Sequence, residues 1–396
     1  MNEVRALVEA FDAANVRGER CALATVVSVE GSSYRRPGAR MLVCEMGATT
    51  GTISAGCLEN DVIEHAKSVL RTDAAKLVEY NTASTSEEMA WGLGLGCSGI
   101  VRVLVEPLAS GSPYIEALRR SCEARPDAAP VSVATVYQAA WIATGARLFI
   151  DEEGDVSHEK LDGGMAAVLE SEIRALASDR VTSAACILDV DGAAAKVFVE
   201  TLLPPVPLVI FGAGPDVLPV VDFARALGWQ TEVVDPQARP ASRDRFGIAD
   251  RVTLARPEDV GAHVGITPRT MALLMSHNYS HDLALLRFLL ASPARYIGVM
   301  GPRKRTGQML RELAPGEESV RFEQAGLARL HAPAGLDIGA NGPTEIALSI
   351  LAEMRAVLEG RRGGMLREGR GSIHGSPNDG ERVTSAEERV VPMVAA

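Results

Sequence analysis

Cys57 lies in the stretch GTISAGCLEND, residues 51–61, between a glycine-bearing turn and a segment with helical spacing. The unpaired N–H groups and the dipole at the start of a helix would stabilise a thiolate at this position. Such a thiolate could ligate a soft metal or carry a persulfide sulfur. The position equally suits a small residue packed where a helix meets a strand. The helix itself is predicted from one apolar stripe, formed by Val62, Ile63, Ala66, Val69 and Leu70.

Two further stretches of the first hundred residues could do chemistry. Cys97 lies in WGLGLGCSG, residues 91–99, where the glycines indicate positive φ angles or a close approach of the backbone to a ligand. A tight turn leading into a strand is the alternative. The loop GSSYRRPGAR contains Arg35 and Arg36, which could bind an anion or stabilise a Cys57 thiolate by folding over it. Arginines of a surface hairpin can also simply be solvated.

The stretch LVIFGAGPDVLPVVDFARALGWQTEVVDP, residues 208–236, predicts a strand, a glycine turn, a helix and a second strand that ends in an acid. Gly212 and Gly214 provide the tight turn, and Asp235 has the spacing of the acid that holds a ribose hydroxyl in dinucleotide folds. The third glycine of G-x-G-x-x-G is replaced by Val217, and Asp216 adds a negative charge to the turn. The pattern therefore predicts the fold more strongly than it predicts NAD binding.

Polar residues follow the later strands of the same region. His277 comes after a buried strand, and Gly301 and Arg303 come after the next one. Because the carboxyl ends of parallel strands share one edge, we expect these residues to converge with Gly212 and Asp235 on one crevice. The crevice is predicted to be locally basic and so to take a phosphorylated or otherwise anionic ligand. For His277 alone, a helix-capping or core role is the alternative.

Composition limits the class of protein. The chain has 396 residues, 47% of them hydrophobic, and a net charge of −11, which argues against nucleic acid or an anionic membrane as a partner. It has neither an apolar run long enough to span a bilayer nor a leader-like start, so the sequence predicts a cytoplasmic protein. The six cysteines are spread singly, which argues against a structural zinc site.

Four segments can be drawn along the chain. Residues 1–108 and 109–205 each mix strands with a helix, residues 206–360 have the alternating α/β pattern, and residues 361–396 are predicted to be a disordered tail. The first two segments read as a diverged duplication. GARMLVCEMG at 38–47 recurs as GARLFIDEEG at 145–154, and VRVLVEPL at 101–108 recurs as AKVFVETL at 195–202. Cys57 then aligns with Gly164 and Cys97 with Asp191, so only the first copy carries the chemistry.

Seven motifs, in order, resemble the xanthine dehydrogenase accessory family, also written XdhC/CoxI, over residues 10–110 and 205–360. They are GSSYRRPGARMLV, GTISAGCLE, WGLGLGCSG, LVIFGAG, MSHNYSHDLALLRFLL, RYIGVMGPRKR and GLDIGANGPTEIALSILAEM. Many members of the family have GAGHVG where this chain has GAGPDV. That difference argues against dinucleotide binding and favours the carbon monoxide dehydrogenase type branch.

The resemblance implies an N-terminal accessory domain, a C-terminal Rossmann domain and work as a chaperone rather than as an enzyme. Such a chaperone binds the molybdenum cofactor (molybdopterin), assists its sulfuration by a cysteine desulfurase and delivers it to a molybdenum hydroxylase apo-enzyme. The resemblance also implies a homodimer. Cys57, with Cys97 second, would then contact the metal or transfer sulfur. Gly212, Gly214, His277 and Arg303 would line the pocket for the pterin phosphate.

Two other functions are compatible with the residues. An NAD(P)-dependent oxidoreductase is indicated by the glycine turn and Asp235, and it predicts a bound nicotinamide cofactor and a turnover of its own. A dimeric scaffold that presents a partner enzyme predicts complex formation without any small ligand. The loss of Cys and Arg from only one copy argues against the scaffold, because a scaffold has no need of that asymmetry.

Overall fold

The computed structural model describes residues 2–31, 33–54, 56–81, 99–125, 127–178, 183–190, 193–313, 324–368 and 390–392. Residues 3–204 form most of one compact unit, and residues 205–368 lie in a second. None of the helices in these ranges is both long and apolar enough to cross a bilayer.

The first unit begins with helix α1 (Asn2–Val16) and then forms a five-stranded sheet. Its neighbouring strands all pair antiparallel, in the order β3-β2-β1-β5-β4. Helix α2 packs on β1 and β5 through the apolar stripe predicted from the sequence, burying Val62, Ala66 and Val69. The elements are β1 (Cys21–Gly31), β2 (Arg40–Cys44), β3 (Thr49–Gly51), α2 (Glu59–Thr72), β4 (Lys76–Asn81) and β5 (Gly99–Leu108).

A second sheet of the same unit repeats this topology. Its order β8-β7-β6-β10-β9 matches that of the first sheet strand for strand, and β17 adds a sixth strand beside β9. The register also matches, because Cys21 pairs with Leu108 in the first sheet and Val131 with Leu202 in the second. This agreement supports the internal duplication. The elements are α3 (Pro113–Glu123), β6 (Val131–Gln138), β7 (Ala146–Ile150), β8 (Val156–Glu159), α4 (Gly163–Ser178), β9 (Ser183–Val190), β10 (Ala193–Leu202) and β17 (Val390–Pro392).

The two repeats exchange buried ion pairs. Arg40 of the first repeat contacts Glu200 of the second, and Arg147 of the second contacts Glu106 of the first. Tyr114 lies between the pairs: its hydroxyl donates to Glu200 at 2.6 Å, and the Arg147 guanidinium stacks 4.1 Å above its ring. Because each arginine and each glutamate occupies the equivalent position of its repeat, the exchange follows a pseudo-twofold relation. The first two sequence segments therefore fold as one unit.

The second unit is a six-stranded parallel sheet with the order β13-β12-β11-β14-β15-β16, the order of a dinucleotide-binding fold. Side chains of successive strand residues alternate between two apolar cores, one under α5 and α11 and the other under α8 and α9. The structure thus confirms the predicted Rossmann-like domain. The elements are β11 (Pro207–Phe211), α5 (Leu218–Ala226), β12 (Gln230–Asp235), α6 (Ala241–Arg245), β13 (Arg251–Leu254), α7 (Val260–His263), β14 (Met271–Leu274), α8 (Tyr279–Ala291), β15 (Tyr296–Val299), α9 (Arg303–Leu313), α10 (Gln324–Ala328), β16 (Leu330–His331) and α11 (Pro343–Leu358).

The segment after residue 360, for which the sequence predicts disorder, contains two short elements among its described residues. Leu366–Glu368 forms a single 3-10 turn. Val390–Pro392 pairs in parallel with Ile187–Asp189 of β9, which satisfies backbone groups at the edge of that strand.

Candidate functional site

Cys57 lies in the turn between β3 and α2, two residues before the helix begins, and its side chain is exposed. The other cysteines of the described residues, Cys21, Cys44, Cys122 and Cys186, are buried. Cys97 and the rest of its glycine-rich stretch up to residue 98 lie outside the described residues. Cys57 is therefore the accessible thiol of the described chain, and the predicted helix start follows it.

A hydrogen-bonded network shapes the turn that carries Cys57. The Ser54 hydroxyl accepts from the N–H groups of Gly56, Cys57 and Leu58 at 3.3, 3.1 and 3.1 Å. The Glu59 carboxylate accepts from the Ser54 N–H at 2.9 Å and from the Thr52 hydroxyl at 2.5 Å, and it also contacts the Ser54 hydroxyl. Partial burial raises the pKa of Glu59, but these hydrogen bonds lower it to about 2. Ser54 thus takes the N–H groups of the turn that precedes α2, including that of Cys57 itself.

The arginine loop lies near this turn. Arg35 forms a bidentate ion pair with Glu3 of α1, at 3.0 and 2.5 Å. The hydrogen bonds to Glu3 raise the pKa of Arg35, and the Glu59 carboxylate adds to that rise electrostatically. Arg36 is exposed on the same loop. The structure therefore brings Arg35 within electrostatic reach of the residues that hold Cys57, as the sequence suggests, but Glu3 already engages its guanidinium.

The described part of the second repeat has no counterpart of the Cys57 thiol and its turn. At the position equivalent to Cys57 it has Gly164, and the start of α4 is capped by Asp162, whose carboxylate accepts from the Met165 N–H at 2.8 Å. One capping residue therefore suffices to start the equivalent helix. The larger network around Ser54 and Glu59 accompanies the exposed thiol.

In the second unit, the glycine turn after β11 lies against the end of β14. Gly212 has φ +148°, and a Cβ there would lie 2.3 Å from the Met275 carbonyl oxygen, so only glycine fits. A Cβ at Gly214 would lie 2.4 Å from the Asp216 carboxylate. That carboxylate bonds the His277 ring nitrogen Nε2 at 2.7 Å. Gly212, Gly214 and His277 thus meet at one place, as predicted, with Asp216 over the turn.

Asp235 ends β12 with a side chain that is 0% exposed. Its two oxygens accept from the N–H groups of Gln237 and Arg239, the Arg239 Nε and the Ser242 hydroxyl, at 2.6–3.2 Å. Burial raises the pKa of Asp235, but the hydrogen bonds from Ser242 and Arg239 outweigh burial and lower it below the usual value of an aspartate. The carboxylate therefore organises its own turn.

Gly301 and Arg303 lie at the end of β15, the strand beside β14. Gly301 has φ +116°, and Arg303 is exposed at the first residue of α9. Arg305 of α9 bonds the buried Asp282 of α8 at 2.7 Å, which joins the two helices that follow β15 and β14. Both predicted residues therefore share the carboxyl edge of the sheet with the glycine turn.

Several contributors could not be found from spacing. Ser54 and Glu59 are five residues apart, not the three of a capping box, so no helix-start pattern marks them. The partners Asp216 and His277 are separated by 61 residues, and only the sheet brings them together. Within the described residues, no three His, Cys, Asp or Glu side chains are placed to hold a metal ion.

Comparison with known proteins agrees with this architecture. The family model for the XdhC Rossmann domain matches residues 208–354, and the model for the XdhC and CoxI family matches residues 15–81. A Bacillus subtilis protein named as a probable xanthine dehydrogenase subunit is 30% identical over 338 residues, which is 85% of this chain and 92% of that protein. The molybdenum cofactor insertion chaperone PaoD of Escherichia coli is 22% identical over 340 residues, 86% of this chain and 84% of PaoD.

A solved structure is similar over nearly the whole chain. The crystal structure of a xanthine dehydrogenase from Bacillus halodurans is 30% identical and matches with a TM-score of 0.71, covering 90% of this chain and 97% of that one. The motifs, both domain matches and the similarity over the full length agree with one another. The chain therefore belongs to the XdhC and CoxI family.

Proposed function

We propose that this protein is a molybdenum cofactor chaperone. It binds the cofactor as cargo, assists its sulfuration together with a cysteine desulfurase, and inserts it into a molybdenum hydroxylase of the xanthine dehydrogenase or carbon monoxide dehydrogenase type. The observation that carries the proposal is the exposed Cys57 thiol, which is held before α2 in one repeat and replaced by glycine in the other. The similarity to PaoD over 84% of that chaperone's length supports it.

The chemistry of the first-repeat site fits such a cargo. Thiolate sulfur is a soft ligand that suits molybdenum, and an accessible thiol can also accept and pass on a persulfide sulfur. Arg35 and Arg36 supply positive charge beside the turn that carries Cys57, although Arg35 must share its charge with Glu3. Cys97 remains the second candidate for contact with the metal or for sulfur transfer.

The crevice of the Rossmann domain is proposed to receive the pterin phosphate. Gly212 and Gly214 form the turn at this edge, while His277 and Arg303 contribute donors and charge there. The negative charge of Asp216 would repel an anion at that position. The His277 ring would therefore have to exchange its bond with Asp216 for one with the phosphate.

The remaining features of the proposal follow from family membership. We propose a homodimer that works in the cytoplasm and has no catalytic turnover of its own. Its segments are proposed to be residues 1–108 with the site cysteines and residues 109–205 as the second repeat and linker, which together form one unit, and residues 206–360 as the Rossmann-like domain.

The test is cofactor content. Protein purified anaerobically from a host that makes the molybdenum cofactor is oxidised, and the released fluorescent pterin and the molybdenum are counted on the same sample. We expect near-stoichiometric pterin in the unaltered protein and its loss in Cys57→Ala. Cys122→Ala removes a buried thiol of the same unit and is the matched control, which should keep its pterin.

Other outcomes would change the assignment. Pterin retained by Cys57→Ala, with full activation of the partner enzyme, would mean that Cys57 is not the ligand. Absence of pterin together with bound NAD(H) would favour the NAD(P)-dependent oxidoreductase, for which the strand order of the second unit is the supporting observation.

A further inference from the structure

Two thiols of the first repeat, Cys21 and Cys44, face each other across neighbouring strands. Cys21 begins β1, Cys44 ends β2, and the two residues are direct partners in the antiparallel register. Their Sγ atoms lie 3.0 Å apart. Because the sulfurs of a disulfide are about 2.0 Å apart, a bond between these two would need an approach of only about 1 Å.

The backbone around the pair also has the spacing that a disulfide needs. The Cys44 N–H donates to the Ala48 carbonyl at 2.8 Å, on the side of β2 that faces away from β1. The ladder bond beyond the pair runs instead from the Glu45 N–H to the Arg20 carbonyl, at 2.9 Å. Cys21 and Cys44 are therefore a non-hydrogen-bonded pair, in which the Cα atoms lie about 4.5 Å apart. That separation falls within the range of disulfide-bonded cysteines.

The second repeat shows that the fold does not require thiols at these two places. Val131 occupies the position of Cys21, and Asp151 occupies that of Cys44. The Asp151 carboxylate accepts from the N–H groups of Glu153 and Asp155 at 3.1 and 2.8 Å, so it shapes the turn after β7. An apolar side chain and a turn-forming acid thus serve the same fold without a sulfur pair.

The surroundings of the pair limit which reagents can reach it. Cys21 is 1% exposed and Cys44 is 5% exposed, and both belong to an apolar cluster that includes Leu7, Val8 and Phe11 of α1. Burial raises the pKa of Cys21, and its hydrogen bond to Cys44 adds to the rise. Cys21 therefore keeps its proton and donates it to the Cys44 sulfur. Cys44 is the sulfur that a small reagent reaches first.

We propose that Cys21 and Cys44 are a redox-active pair, which hydrogen peroxide converts to a reversible disulfide. The Cys44 thiolate attacks one peroxide oxygen and breaks the O–O bond, which gives a sulfenic acid and one water. The Cys21 sulfur then attacks the sulfenic sulfur, forms the S–S bond and expels hydroxide, which leaves as water with the Cys21 proton. Two thiols are oxidised, and one peroxide is reduced to two waters.

The disulfide would tie β1 to β2 and close a covalent loop over residues 21–44. That loop contains Arg35 and Arg36, and closing it restricts the unfolded chain, so the oxidised protein should be the more stable form. Reduction by a small thiol would reverse the change, as for redox-sensing disulfides of reducing compartments. The proposal does not rest on Cys57 or on cofactor loading, so it can fail without affecting the chaperone assignment.

The experiment maps the disulfide by mass spectrometry. Full-length reduced protein is treated with increasing hydrogen peroxide, remaining thiols are blocked with iodoacetamide, and the protein is digested with trypsin and a glutamate-specific protease. Cleavage after Arg20, Glu30, Arg40 and Glu45 releases Cys21 in residues 21–30 and Cys44 in residues 41–45, while Cys57 falls in residues 46–59. We expect the first two peptides to appear linked and to separate on treatment with dithiothreitol.

Matched variants identify the two sulfurs. Cys21→Val, which introduces the residue of the second repeat, and Cys44→Ala should each abolish the linked peptide, whereas Cys122→Ala should leave it unchanged. Circular dichroism checks that each variant is folded. Peroxide should raise the unfolding temperature of the unaltered protein by roughly 5 °C and leave that of Cys21→Val unchanged.

Cys122 sets the dose at which the result is decisive. It is 5% exposed, as Cys44 is, so its oxidation shows that peroxide has reached buried thiols. The proposal is overturned if residues 21–30 and 41–45 remain unlinked at a dose that oxidises Cys122. It is equally overturned if Cys44 becomes linked to another cysteine instead of Cys21.

Discussion

Asp235 illustrates how one side chain can satisfy a sequence motif and serve a different purpose. Its position after β12 is that of a ribose-binding acid, yet its oxygens are saturated by Gln237, Arg239 and Ser242. A carboxylate with several donors stabilises a turn because burial without those donors would be costly. The motif at this position therefore reports the fold and not the ligand.

This role makes stability depend on pH. We expect Asp235→Asn to lower the free energy of unfolding by about 2 kcal/mol at pH 7, the typical contribution of hydrogen bonds to a charged group. The pKa of Asp235 is depressed in the folded protein, so its contribution is complete above about pH 4 and is lost as pH falls through the folded pKa. Urea unfolding at pH 7, 5, 4 and 3 should show the difference between the two proteins shrinking in acid.

Asp244→Asn is the control for this measurement, since that side chain is exposed on the adjoining helix α6. It should change the free energy of unfolding little at any pH. A loss in Asp235→Asn that stays constant down to pH 3 would show that the carboxylate charge is not the cause.

At the scale of elements, the junction between β11 and β14 depends on a backbone contact. Gly212 combines a positive φ with a Met275 carbonyl that lies where a Cβ would stand. The glycine is thus required by packing between two strand ends, before any ligand is considered.

Gly212→Ala should therefore be destabilising whatever the ligand. We expect a loss of at least about 2 kcal/mol in the free energy of unfolding, from backbone strain and displacement of the β14 end. Gly265→Ala is the matched control, because a Cβ there meets no atom within 4 Å and the φ angle is ordinary. Parallel urea titrations decide the matter; equal losses in the two variants would contradict the packing argument.

At the scale of the whole molecule, the first unit is stabilised by two buried ion pairs, each of which joins one repeat to the other. Each repeat supplies one arginine and one glutamate, and each pairs across to the other repeat while buried. Val27 and Leu104 of the first repeat also pack with Tyr137 and Phe198 of the second. Removal of Glu200 would leave the buried Arg40 without its carboxylate partner, whereas Arg147 also lies 3.4 Å from Glu159 of its own repeat.

Breaking one exchanged pair should destabilise the unit strongly. Glu200→Ala leaves Arg40 buried without its counter-charge, and we expect a loss of about 3–5 kcal/mol. Glu106→Ala should cost less, because Arg147 also lies 3.4 Å from the Glu159 carboxylate and so keeps a counter-charge. Chemical denaturation followed by circular dichroism measures both.

The double variant Arg40→Met with Glu200→Leu separates the two possible causes. It should recover much of the loss, because apolar side chains of similar size replace a buried pair at little cost. A single-variant loss below about 1 kcal/mol would refute the interlocking of the repeats through these pairs.

Several features of this protein could be predicted from its sequence. Hydrophobic periodicity and glycine spacing predicted the α2 helix, the β11 turn and the Rossmann-like sheet, because helix, strand and turn conformations are properties of short stretches. The repeated GAR motifs predicted the duplication, since an equivalent environment demands equivalent residues. The ordered set of motifs predicted the family.

Other features required the folded chain. The network of Ser54 and Glu59 under Cys57, the bond between Asp216 and His277, and the exchange of Arg40 and Arg147 between repeats all depend on contacts that no local spacing encodes. The folded structure is also needed to see that the Asp235 carboxylate accepts its hydrogen bonds from residues of its own turn. These hydrogen bonds and ion pairs form only when the two groups lie within a few ångströms of each other. Residues that are far apart in the chain reach that distance only through the tertiary fold.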